Sequence, residues 1–184
     1  MTTITRTLIL LLVAFLSCYA TTITLTGAPT GTVGPYNLSI DGISAQGVCV
    51  TADIEISVGQ SWQATEYTVT DFSAPVQTQY LEAEWLIKQF PLNLGDYNGI
   101  HDTIWDIFEP GTYSGGTIAS WMNLASVNYG SVDPYSFEVY VPIPVNSSQT
   151  FIVQAEAPEP GTLLMVGSAL LLFGSFLRKY NHSR

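Results

Sequence analysis

The sequence predicts a mainly β fold, a sandwich-like sheet assembly with an inserted helical hairpin. Two observations support this fold class. Apolar and polar residues alternate with period two in the first half of the segment 21–157 and again near its end. This alternation is typical of strands with one buried face. Between these stretches, apolar residues recur every three or four positions, which indicates helices. A signal peptide and one C-terminal transmembrane helix complete the predicted organisation.

The N-terminal segment 1–20 is typical of a secretory signal peptide. Arg6 precedes an apolar core over 8–16, and Ala20 supplies the small residue at the expected cleavage position. Cleavage after Ala20 removes Cys18. The alternative is a lipoprotein signal in which Cys18 is retained and lipidated.

The segment 21–157 is long enough for one extracytoplasmic domain with its own core. Its strands are predicted where apolar and β-branched residues alternate between turn signals. The predicted strands cover 21–26, 36–40, 47–56, 62–70, 136–141 and 150–154.

Three helices are predicted in the middle of this domain. Apolar residues at helical spacing over 78–90 end at Pro91, and a second such run covers 99–108. These two helices are expected to form a hairpin that packs on the sheet through Trp85 and Trp105. A third helical segment is predicted over 117–128.

The predicted domain is strongly acidic. Residues 21–157 contain 14 Asp and Glu side chains against Lys88 and no arginine, so the net charge is about −13. This charge excludes nucleic acid and anionic membrane surfaces as partners, because both are themselves negative. It favours solubility and the gathering of cations.

The sequence offers little catalytic chemistry, and we predict a non-catalytic protein with no cofactor and no metal site. Cys49 is the only cysteine left after processing, so an intramolecular disulfide is excluded and a small buried hydrophobe is its simplest role. His101 is the only histidine of the domain, which excludes multi-histidine zinc sites. Asp102 follows it on a predicted helix, where adjacent side chains point about 100° apart and do not serve one substrate atom.

Two binding alternatives remain open for the domain. The loop 93–98, with Asp102, Asp106 and Glu109 beyond it, offers oxygen ligands for Ca²⁺, although it matches no complete calcium-loop spacing. Aromatic side chains offer faces for saccharide rings, although core packing explains them equally well. These aromatic candidates are Tyr113, Tyr129, Tyr135 and Tyr140.

The last 27 residues form three blocks. The first is rich in proline and cannot continue a helix or a central strand. An uncharged run over 162–177 follows; as a helix it covers about 24 Å. That is slightly short of a bilayer core of about 30 Å, a mismatch that thinning and snorkelling absorb. The third block is basic and predicts that the domain lies on the far side of the membrane from the cytoplasm.

This order of blocks resembles the PEP-CTERM sorting domain of bacterial envelope proteins, which an exosortase recognises. The matching residues are Pro158, Glu159, Pro160 and Gly161 in the motif, the helix 162–177, and Arg178 and Lys179, with Arg184 completing the basic cluster. The resemblance implies anchoring in the inner membrane, cleavage near the motif, and a periplasmic, cell-surface or extracellular destination in an exopolysaccharide-producing bacterium. The implied partners are the exosortase, the secretion translocon and signal peptidase. The alternative is an ordinary membrane anchor after a proline-rich stalk.

The domain itself is more weakly similar to the bodies of other PEP-CTERM proteins. The matching stretches are 48–50, Trp62, 82–86 and 104–108. This pattern also resembles the thioester domains of bacterial adhesins, in which a strand Cys bonds a Gln just before an Ala-Ile-Trp helix. Here His101 stands where that family has Gln, and the nearest candidates, Gln79 and Gln89, belong to the other predicted helix.

These observations predict a secreted, non-catalytic envelope or extracellular-matrix protein sorted by an exosortase. The first alternative is a module for polysaccharide binding or adhesion, with exopolysaccharide as the partner. The second, less favoured, is an enzyme or thioester adhesin that uses Cys49.

Overall fold

The computed structural model of the chain describes residues 20–29 and 33–155. Ala20, the predicted cleavage position, is exposed and directly precedes the first strand. The sorting motif, the apolar run 162–177 and the basic cluster lie outside the described residues, as does the rest of the signal peptide. Contacts within the chain divide it into two units, Met1–Gln154 and Ala155–Arg184.

The described part of the first unit contains a closed barrel of six antiparallel strands. The strands are β1 Thr21–Gly27, β2 Tyr36–Ile40, β3 Ile43–Cys49, β4 Ser61–Thr68, β5 Phe137–Ile143 and β6 Phe151–Gln154. Their order around the barrel is β1-β2-β3-β6-β5-β4, and β4 returns to pair with β1. The prediction of a mainly β fold is therefore confirmed, whereas the sandwich-like arrangement is wrong because the sheet closes on itself.

A tight hairpin joins β2 to β3. Asp41 and Gly42 occupy the turn with φ angles of 50° and 90°, and Ile40 pairs with Ile43. Two consecutive positive φ angles suit the right-handed twist of the flanking strands, and Asp-Gly is a favoured sequence for such a turn. Because of this hairpin, β3 begins at Ile43, four residues before the predicted start at position 47.

Three helices lie between β4 and β5 in the sequence. They are α1 Val76–Ile87, α2 Tyr97–Phe108 and α3 Ile118–Asn128, and short 3₁₀ turns cover Val69–Asp71, Phe90–Leu92 and Tyr129–Ser131. All three helices pack against one another, so the predicted hairpin is part of a three-helix layer. None of the helices within the described residues is long and apolar enough to cross a membrane.

The buried residues form two clusters on opposite faces of the sheet. The inner cluster fills the barrel and includes Ile23, Leu38, Cys49, Trp62 and Phe151. The outer cluster joins the barrel to the helices and includes Leu86, Ile100, Ile104, Phe137 and Ile152. Consecutive residues of one strand, such as Phe151 and Ile152, belong to different clusters because side chains alternate across a strand.

Both predicted tryptophan contacts are confirmed, because each side chain packs on a cluster that contains strand residues. Trp105 packs against the inner cluster, as expected for a helix residue that faces the barrel. The ring of Trp85 lies 6.4 Å from that of Trp121 in α3, and it packs on the outer cluster. Trp85 thus also serves the contact between helices.

The directions of the strands place the start of β1 and the end of β6 at the same end of the barrel. Every strand is antiparallel to both neighbours, so β1, β3 and β5 run one way and the other three run back. β1 therefore begins at the end of the barrel where β6 finishes. Cys49, the last residue of β3, lies at the opposite end.

Candidate functional site

The candidate site lies where α2 meets the end of β3. His101 and Trp105 are one turn apart on α2, and their rings are 4.4 Å apart. The Nε2 atom of His101 is 3.1 Å from the carbonyl oxygen of Cys49 and 3.5 Å from its Sγ. Its Nδ1 atom lies 2.9 Å from the backbone nitrogen of Gly34. The histidine thus ties the β1–β2 loop and the end of β3 to one helix.

These contacts fix the tautomer of His101. A backbone N–H can only donate, so Nδ1 accepts the hydrogen bond from Gly34. The proton of the neutral ring then sits on Nε2, which donates to the carbonyl of Cys49. A general base needs a free lone pair facing the thiol, and Nε2 has none in this tautomer. The pair therefore lacks the arrangement of an activated cysteine nucleophile.

Burial keeps both groups neutral at physiological pH. Cys49 and His101 are each 0% exposed. Burial raises the pKa of Cys49 to about 11, although polar hydrogens of Trp105 and Tyr36 act in the opposite direction. Burial also lowers the pKa of His101 to about 4, against the smaller effect of its bond to the Cys49 backbone. The reactive form of cysteine is the thiolate, which is scarce at such a pKa.

The position that the thioester alternative requires does lie against Cys49, but the residue there cannot form the bond. The helix residue three before Ile104 does lie against Cys49, where the resemblance places the bond-forming Gln, but it is His101. Gln79 donates to the carbonyl of Ile107 at 2.8 Å, and Gln89 donates to the carbonyl of Trp85 at 3.2 Å. Both candidate glutamines are thus engaged on the helices, and no amide carbon is available to Cys49 from them.

The acidic residues proposed for Ca²⁺ serve as local hydrogen-bond acceptors. Asp96 accepts from the indole N–H of Trp121 at 2.7 Å, and Asp106 accepts from the backbone of Gly111 at 2.8 Å. Glu109 accepts from the backbone of Ala52 at 3.3 Å. Asp102 is partly buried on another side of α2 from His101. Across residues 20–29 and 33–155, no group of three or more His, Cys, Asp or Glu side chains is placed to hold a metal ion.

The four candidate tyrosines are in different environments. Tyr140 is 4% exposed, and its hydroxyl donates to Glu138 at 2.6 Å. The ring of Tyr113 lies 5.2 Å from that of Trp105, whereas Tyr135 is 66% exposed. Tyr140 therefore presents no open face to a saccharide ring, because it belongs to the inner cluster.

An open cavity of about 390 Å³ is lined in part by Trp105, whose ring lies against His101. Its walls include Tyr36, Ile54, Glu55, Ile56, Trp105 and Gln149. Gln149 is 7% exposed; its Nε2 donates to the carbonyl of Ile54, while its Oε1 has no hydrogen-bond partner among the residues described. Sequence patterns gave no signal for Gln149, which lies in a loop 44 positions after Trp105.

A second unusual polar group lies under the helices. Glu84 of α1 is 0% exposed, and neither of its carboxylate oxygens has a hydrogen-bond partner within the described part of the chain. Burial raises its pKa to about 8; Lys88 opposes this shift, and Asp133 adds to it. The sequence marked Glu84 only as part of a helical segment.

Comparisons with known proteins add no family to these observations. A scan against protein-family models, a search of curated proteins and a search of solved structures each found no match.

Proposed function

We propose that this chain is an exported, non-catalytic envelope or matrix protein whose C-terminal segment 158–184 is an exosortase sorting signal. The observation that carries the proposal is the order of three blocks: Pro158-Glu159-Pro160-Gly161, the uncharged run 162–177 and the basic cluster. Each block alone is common. In this order they describe a short substrate with a rigid segment before a membrane-stopped helix.

The fold is compatible with removal of that signal. β6 ends at Gln154, four residues before Pro158, and its ladder partners in β3 and β5 all precede the motif. Cleavage within 159–162 therefore leaves every strand of the barrel intact. A sorted product could keep its fold after losing its membrane segment.

The site chemistry is compatible with a non-catalytic body. The Cys49 thiol is buried and neutral, and the imidazole nearest to it presents a proton rather than a lone pair. This pair is better suited to joining elements than to attacking a substrate.

Processing of the C-terminus tests the sorting proposal. The full chain is expressed in a bacterial host that has an exosortase and in the same host lacking it, and the intact mass of the mature protein is measured in each fraction. We expect a C-terminus within 159–162 only when the enzyme is present. The double variant Pro158→Ala/Pro160→Ala should remain uncut, whereas Glu156→Ala, just outside the motif, should be processed normally. An intact Arg184 in the membrane fraction of both hosts would reduce the segment to a plain anchor and overturn the proposal.

A further inference from the structure

The cavity beside Trp105 combines apolar walls with negative charge. Ile54, Ile56, Tyr36 and Trp105 supply apolar and aromatic surface, and the exposed acidic residue Glu55 also lines the cavity. Its volume of about 390 Å³ falls within the range of about 300–1,000 Å³ usual for small-molecule sites. The cavity is at the end of the barrel where β3 finishes, away from the end where β1 begins and β6 stops.

More carboxylates surround the aromatic side of this cavity. Burial, followed by the charges of Glu109, Asp102 and Asp53, raises the pKa of Tyr113, whose ring packs on Trp105. No arginine and only Lys88 occur between positions 20 and 155. Lys88 lies over the ring of Phe137 in the outer cluster, 5.5 Å from its centre. Glu55 is thus the acidic residue of the lining itself, and Glu109 is held to the backbone of the lining residue Ala52.

The two polar side chains Glu55 and Gln149 differ in what they offer a ligand. The amide N–H of Gln149 is already used by the carbonyl of Ile54, which leaves its buried Oε1 without a partner among the described residues. The carboxylate of Glu55 is an acceptor in its ionised form. The Gln149 oxygen is itself covered by protein atoms, so the acceptor open to a ligand in the cavity is the Glu55 carboxylate, and the ligand has to bring N–H or O–H donors to it.

We propose that this cavity binds a small organic cation, a protonated amine on an apolar body. The ammonium group would donate to Glu55, and the apolar body would lie against Ile54, Ile56 and the aromatic rings. Attraction of a cation to aromatic side chains adds to the charge term. The proposal is non-covalent, and it does not depend on sorting of the C-terminal segment.

A series of three ligands with one body and different charge tests this proposal. Phenethylamine, 2-phenylethanol and 3-phenylpropionate are titrated into the intact protein in a non-ionic detergent at pH 7 and low salt, with isothermal titration calorimetry as the readout. We expect the amine to bind at least about tenfold more tightly than the alcohol. The carboxylate should show no binding, and added salt should weaken the binding of the amine.

Matched variants locate the binding. Glu55→Gln keeps the shape of the wall but removes its charge, so it should weaken the amine at least about threefold and leave the alcohol unchanged. Glu66→Gln removes a carboxylate from β4, outside the cavity wall, and should have no effect. Equal binding of amine and alcohol would overturn the cation selectivity. The site itself would be overturned if the amine did not bind at about 10 mM, roughly the weakest affinity that defines a site. It would also be overturned if both variants had equal effects.

Discussion

His101 acts in this protein as a connector between segments that are distant in the sequence. It accepts a hydrogen bond from Gly34, 67 positions earlier, and donates to the carbonyl of Cys49, 52 positions earlier. Both partners are backbone groups at the end of the barrel. A buried backbone group without a partner is costly, so a side chain that satisfies two of them stabilises the local arrangement.

Replacing His101 with leucine should destabilise the fold. Leucine has a similar volume but leaves the N–H of Gly34 and the C=O of Cys49 unpaired, and we expect a loss of about 2–4 kcal/mol in the free energy of unfolding. Urea unfolding at pH 7, followed by near-ultraviolet circular dichroism, measures this loss. Asp102→Asn, on the next position of α2, is the matched control and should change stability by less than about 0.5 kcal/mol. Equal stabilities of His101→Leu and the wild type would show that the two hydrogen bonds contribute nothing.

The sequence indicated both members of this pair but only part of their relationship. Cys49 was expected to be a small buried hydrophobe, and it does lie in the inner cluster. Position 101 was noted only as the place where thioester domains have Gln, and its contact with Cys49 was not predicted. The roles of the two imidazole nitrogens could not be predicted, because they depend on the loop at Gly34, which carries no pattern of its own.

At the scale of elements, the start of α2 is locked against the start of α3. Asp96 precedes α2 and accepts from the indole N–H of Trp121 in α3 at 2.7 Å. Gly99 is buried at this corner, and a Cβ atom at that position would collide with Thr117 Oγ1 and Asp96 Oδ1. The absence of a side chain at Gly99 therefore allows the two helices to approach.

Gly99→Ala should destabilise the helical layer although alanine is the better helix former. The intrinsic gain is at most about 1 kcal/mol, whereas the collision costs about 1–3 kcal/mol because Asp96 is held by Trp121 and cannot simply move away. Thermal unfolding compared with that of Gly95→Ala is the measurement. A Cβ at Gly95 meets nothing within 4 Å, so this control should be nearly neutral. A higher melting temperature for Gly99→Ala would contradict the close approach.

Strand and helix periods predicted most elements but not how strands end or pair. The alternation over 47–56 predicted one long strand, whereas β3 ends at Cys49. Beyond it, Thr51 and Ile54 are held by Thr150 and Gln149 through side-chain bonds instead of a strand ladder. The apolar and polar residues of this extended segment alternate as they would in a strand, so the sequence pattern did not show where β3 ends. Closure of the barrel depends on the pairing of β4 with β1, which connects residues about 40 positions apart and has no local signature.

At the scale of the whole molecule, two buried groups make stability depend on pH in opposite directions. His101 has a pKa of about 4 in the folded chain against 6.5 for the free side chain. The unfolded chain therefore binds the extra proton first, and stability falls as the pH drops from about 6.5 to about 4. Glu84 has a folded pKa of about 8 against 4.5. The unfolded chain loses that proton first, so stability falls as the pH rises from about 4.5 to about 8.

The Glu84 contribution can be isolated by Glu84→Gln, which keeps the shape of the side chain and removes its titration. Between pH 5 and pH 8 the slope of the free energy of unfolding against pH should be more negative in the wild type than in the variant, by about 1.4 kcal/mol per pH unit, because one proton on Glu84 separates the folded and unfolded states there. The contribution of His101 is common to both proteins and cancels in this difference. Urea unfolding at several pH values gives both slopes. Parallel slopes for the wild type and Glu84→Gln would mean that Glu84 is ionised in the folded chain throughout this range, with a partner such as Lys88 compensating its burial.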